Sequence, residues 1–204
     1  VRPAQVRKND TRCDWGRGIP DDERLTGVGF VVVSRPLPPP ANRPSFTLAE
    51  IDEDFLHATA LGTLFMVWRR RTTAAAFSRG LVLGRSLSAE VNGKIGCCQV
   101  IEVDAIPPDT EARKAFVEFL KLPFIASSVV IHDGSGFKAA SVRAIVNLQI
   151  LVSKPKFPHG LFSSVKQAAM TLAAETSALA PDRSAATLEA LISELRALHR
   201  SRFP

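Results

Sequence analysis

From Phe55 onward the apolar residues recur with periods that name the elements. FLHATA and TLFMVWRR, on either side of Leu61-Gly62, predict a β-hairpin. The second arm is apolar on both faces, as a central strand is. TTAAAFSRGLVLGRSL, opening at Thr72, puts Phe77, Leu81, Gly84 and Leu87 on one face of a helix. Gly80 and Gly84, four residues apart, predict close packing of that helix on a neighbour. Asn92-Gly93 is a turn signal, and IGCCQVIEV is a third strand. The next helix starts at Asp109 as N-cap, with Glu111 in its first turn, where the helix dipole favours an acid. Ala112, Ala115, Phe116, Phe119 and Leu120 form its buried stripe, and Pro123 ends it.

SSVVIHD reads as a fourth strand. The following helix, about 137–152, carries Val142, Ile145, Val146, Leu148, Ile150 and Leu151. That apolar face is wide, so the helix is expected to press deep against the sheet. GLF is a short fifth strand, and SSVKQAAMTLAAE opens with a capping box of Ser164 and Gln167. After Ala180-Pro181 an amphipathic helix, about 184–200, shows Leu188, Leu191, Ile192, Leu195 and Leu198 on one side. This stripe suits docking on its own domain and gripping a partner, or a second copy, equally well.

The predicted order is β-β-α-β-α-β-α-β-α plus one helix. It implies an α/β fold with a mostly parallel sheet covered by helices. Three segments are expected: a flexible lead-in over 1–50, the α/β domain over 51–178, and the C-terminal helix over 179–204. Seven of the 14 prolines fall before residue 50, five of them in RPLPPPANRP, where extended polyproline II is the only regular conformation open. GVGFVVV, Gly27 to Val33, remains a possible extra strand.

Charge changes this picture little. A net +6 with arginines spread along the chain does not single out nucleic acid, and no basic cluster is interleaved with aromatics. The basic cap after Trp68, Arg69 to Arg71, reads as a solvated strand end. The three cysteines, Cys13, Cys97 and Cys98, lack metal or redox spacing. Alternation sends Cys97 and Cys98 to opposite faces of their strand. The histidines His57, His132, His159 and His199 are scattered, so neither a metal nor another cofactor is expected. No apolar run approaches the length of a membrane span, and the charged N-terminus lacks a secretory core, so a cytoplasmic location is expected.

The opening hairpin, the order of elements and the ending FPHGLFSSVKQAAMTLA together resemble the STAS-like fold, that of sulfate-transporter and anti-sigma-factor-antagonist domains. The resemblance spans about 55–177. It implies a non-enzymatic regulatory or protein-interaction module of bacterial type, binding a partner protein or a nucleotide. It also implies a phosphorylation switch at the start of the helix after the third strand, where PPDTEA offers Thr110 as the only hydroxyl. The family's Asp-Ser-Ser-Gly-like turn is missing there, and Asp109 and Glu111 would repel a phosphate.

Candidate chemistry concentrates in HDGSGFK. Asp133, Gly134, Ser135, Gly136 and Lys138 form a glycine-rich strand-to-helix turn whose backbone N–H groups suit a phosphate or nucleotide anion. The spacing matches neither a P-loop nor a dinucleotide fingerprint, so a plain turn competes with the anion site. Asp104, Thr110 and His132 are expected beside it, at the carboxyl ends of the strands. A hydrolase reading, with Ser135 as nucleophile, His132 as base and Asp104 or Asp133 as orienter, lacks the GxSxG context.

Overall fold

The computed structural model describes residues 45–180 and 182–204, apart from the side chain of Lys138. Cys13, the Gly27–Val33 run and RPLPPPANRP lie outside the described residues. The elements are β1 (Thr47–Ile51), β2 (Phe55–Ala60), β3 (Thr63–Trp68), α1 (Ala74–Glu90), β4 (Ile95–Ile101), α2 (Thr110–Phe119), β5 (Ile125–Ile131), α3 (Gly136–Ser153), β6 (His159–Phe162), α4 (Val165–Glu175) and α5 (Ala185–Arg202).

The hairpin forms as expected. Leu61 and Gly62, at φ 49 and 63, both adopt the left-handed conformation that lets a two-residue turn match strand twist. Phe55 then pairs with Trp68 and Ala60 with Thr63. Thr73, Asp109, Ser164 and Ser184 cap α1, α2, α4 and α5 by accepting from backbone N–H groups one turn on. The first of these helices is capped by Thr73 and runs from Ala74, two residues past the predicted opening at Thr72.

The six strands lie in chain order, β1-β2-β3-β4-β5-β6. The pairs β3–β4, β4–β5 and β5–β6 are parallel, while β1–β2 and β2–β3 are antiparallel. Successive right-handed crossovers that all step the same way must leave their helices on one face. Accordingly α1, α2 and α3 share one apolar cluster, with Phe77, Phe116 and Val146 over Trp68, Cys97 and Ile125. The chain then crosses over, and α4 and α5 cover the opposite face, with Leu172, Leu188 and Leu195 over Phe65, Cys98 and Val129. Cys97 and Cys98 do point to opposite faces. Burial pushes the Cys98 thiol up to about 12 and raises Cys97 as well.

Three expectations need correction. Thr47–Ile51, whose first four residues fall in the supposed lead-in, is an edge strand paired to β2 across a bulge between Leu48 and Glu50. Five residues beside a proline-rich run give too short an alternation to stand out. The C-terminal helix is not separate from the domain: Leu188, Leu191, Ile192 and Leu195 are fully buried against the sheet. Arg183 fastens its approach by donating to the carbonyl oxygens of Leu61 and Thr176. Finally, α3 presses only one side inward, through Ala139, Val142 and Val146.

Candidate functional site

The carboxyl ends of β4 and β5 are bridged from α5. Arg196 donates from Nε and Nη2 to the two carboxylate oxygens of Glu102, each at 2.7 Å. It also donates to Asp133, at 2.7 Å from Nη1 and 3.2 Å from Nη2. Alternation explains the meeting. Glu102 lies one residue past Ile101 and Asp133 two past Ile131, and both fall on the face that α5 covers. The bond from Arg196 holds the Asp133 carboxyl below its ordinary value against the opposing effect of burial.

This network begins in the turn that sequence proposed for an anion, and it engages a side chain and a carbonyl of that turn and none of its amides. Asp133 engages Arg196. The Gly134 carbonyl accepts from Arg143 at 2.9 Å. A Cβ on Gly134 would lie 3.2 Å from the His132 ring and from Val103 Cγ1, so close approach accounts for that glycine. Gly136, at φ 81, is the positive-φ position of the turn. Ser135 is the N-cap residue of α3, exposed, and its side chain makes no capping bond. The strand order never reverses, so adjacent crossovers do not part to open the crevice in which open α/β sheets hold nucleotides.

The hydrolase set is not assembled either. His132 is buried, with Nδ1 placed 2.9 Å from the carbonyl oxygen of Ile101. Asp133 orients Arg196 rather than the imidazole. Thr110 is the first residue of α2 and exposed. Its hydroxyl accepts from Arg113 at 3.3 Å. The arginines after Trp68 meet the β1–β2 turn: Arg70 pairs with Glu53 at 2.6 Å, and the Arg71 amide donates to Asp54. Among the described residues, no group of three or more His, Cys, Asp and Glu side chains is placed to hold a metal.

Beneath the helices, a cavity of about 30 Å³ is lined by Trp68, Gln99, Ile106, Pro107, Phe116 and Gln149, among others. Trp68 Nε1, Gln99 Nε2 and Gln149 Nε2 are buried without a protein partner. Three unpaired polar atoms facing one small, otherwise apolar cavity suit ordered water as their partner.

The feature that sequence reasoning missed is the outer face of α3. Phe137 is 90% exposed, Leu151 72%, Val152 67% and Leu148 60%. Ala140 and Ala144 are exposed between them. At 100° per residue these six positions fall within an arc of about 120°, opposite the face that meets the sheet. The topology explains why it is bare. Among the described residues, β6 ends the sheet, α3 ends the row of helices on its face, and α4 passes to the other side. The same residues signalled this in the sequence, as apolar positions too numerous for one buried stripe.

Compared with known proteins, the chain matches no family model, no curated protein and no solved structure. No helix among the described residues is long and apolar enough to cross a membrane.

Proposed function

We propose that this chain is a non-catalytic, STAS-like protein-interaction module that meets its partner through the outer face of α3. One observation carries the reading: four large apolar side chains, Phe137, Leu148, Leu151 and Val152, stand more than half exposed along one helix face. Scattered apolar residues are normal on a surface, whereas a contiguous stripe marks a contact site. The STAS-like part of the reading is supported by the hairpin that leads into the strand–helix units and by the final strand–helix pair. The non-catalytic part is supported by the commitment of Asp133 to Arg196, with the His132 Nδ1 set on a backbone carbonyl in place of a carboxylate.

The reading favours α3 over α5 as the contact helix. The apolar stripe of α5 is already buried, so gripping a partner with it requires undocking from β2 and β3. A photo-crosslinking residue at Leu151, compared with one at Arg113 on α2, tests the choice in cells. A discrete adduct from position 151 and none from 113 is the expected outcome. Adducts from 113 alone reject α3 as the contact surface.

A further inference from the structure

We infer that the occupant of the α3 face is an acidic amphipathic helix of another protein, a conclusion that rests on α3 being the contact surface. The first observation is charge. Between Asp133 and Glu175 the chain has no acidic residue, but it has Lys138, Arg143, Lys154, Lys156 and Lys166. Every Lys, Arg, Asp or Glu on α3 and on the loop joining it to β6 is therefore basic, while Lys166 belongs to α4. Lys154 and Lys156 are exposed and have no acidic partner among the described residues. Basic residues bordering an apolar stripe select a partner whose own stripe is bordered by acids.

The second observation is relief. The large residues sit at the two ends of the stripe, Phe137 at one and Leu148, Leu151 and Val152 at the other. Ala140 and Ala144 lie between them. Small residues between large ones form a saddle that receives the ridge of a crossing helix. A lipid surface rewards bulky apolar residues along the whole length of a helix instead.

A second copy of the chain fits poorly. Pairing α3 with α3 sets its basic borders against each other. The acidic run at the opposite edge of the sheet, Glu50 to Asp54, is already engaged within its own chain. Glu50 bonds Arg79 at 2.9 Å and Glu53 bonds Arg70 at 2.6 Å. Asp52 accepts from the amides of Asp54 and Phe55, and Asp54 accepts from that of Arg71.

The test uses a fluorescent synthetic helix of about 20 residues, long enough to lie along α3, built from Leu, Ala and Glu. A matched peptide carries Lys in place of Glu. Binding to the full chain is read by anisotropy, beside vesicles of phosphatidylglycerol and a sedimentation measurement. The inference expects the Glu peptide to bind at least about tenfold tighter than the Lys peptide, with affinity falling as salt rises. Both Lys154→Glu/Lys156→Glu and Leu148→Ser/Leu151→Ser are expected to weaken that binding by a similar factor. Equal binding of both peptides, lost only with the leucines, rejects the charge selection and leaves the α3 contact surface standing. Vesicle binding without peptide binding overturns the inference in favour of lipid. Self-association that Leu148→Ser/Leu151→Ser abolishes overturns it in favour of a second copy. Failure of the Glu peptide to bind overturns it outright, and the crosslink from position 151 then decides separately whether α3 is a contact surface.

Discussion

Arg196 and Glu102 stand 94 residues apart in sequence and meet through two parallel bonds of 2.7 Å. Both side chains are about nine-tenths buried, so the pair anchors the last helix to the end of a central strand. Removing one member strands the other without water. Arg196→Ala is therefore expected to lower stability by about 3–5 kcal/mol in urea unfolding, because Glu102 and Asp133 both lose their cation. Arg196→Met combined with Glu102→Leu is expected to recover part of that loss. A change below about 1 kcal/mol for Arg196→Ala rejects the anchor.

Stability depends on pH through His57, which is buried, and His159, which is half-buried. Burial first, and the nearby Arg79 second, lower the pKa of His57 to about 3. Glu50 lies 3.7 Å from the His57 ring but is shared with Arg79, so it does not offset burial. Burial alone lowers His159 to about 4. The unfolded chain binds protons at these sites near 6.5 and the folded chain does not. The contribution is thus complete above pH 6.5 and is lost as pH falls toward 4. Each histidine is expected to add a slope of about 1.4 kcal/mol per pH unit in that window. Urea midpoints of the wild type and His57→Gln between pH 7 and 4 check this, and the variant is expected to show the shallower slope.

Gly80 faces the sheet where α1 crosses β3. A Cβ there would lie 2.8 Å from Met66 Sδ and 3.5 Å from the His57 ring. Gly80→Leu is expected to cost about 1–3 kcal/mol by overpacking, although it raises helix propensity. A more stable variant in thermal unfolding rejects this close approach.

Two N-cap residues separate structure from decoration. Asp109 accepts from the Ala112 amide at 2.8 Å, whereas Ser135 makes no side-chain capping bond. Asp109→Ala is expected to cost about 1 kcal/mol and Ser135→Ala less than about 0.5 kcal/mol. Equal losses in denaturant titrations contradict this difference.

Much of the architecture was legible because local signals and topology agree. Leu61-Gly62 carries its turn chemistry in two residues, and Asp109 announces its helix by type and position. Periodicity failed where it reports width but not direction. The helix at 136–153 is apolar on two sides, and the sequence reads the same whether the second side meets the core or the solvent. The ion network stayed hidden for another reason. Asp133, proposed from its glycine-rich neighbours, finds its partner 63 residues away on α5. No local pattern encodes that pairing. The α5 stripe likewise fits a groove or its own sheet, and only the exposed face left by α4 decides between them.

The outer face of α3 being surface, and not core, is the claim on which the functional reading stands. The unfolding midpoint of Leu148→Glu/Leu151→Glu tests it most directly. Charges placed on an exposed face are expected to change stability by less than about 1 kcal/mol in total. A loss of several kcal/mol, as when a carboxylate is forced into an apolar interior, would show that the folded chain already covers this face and would contradict the account.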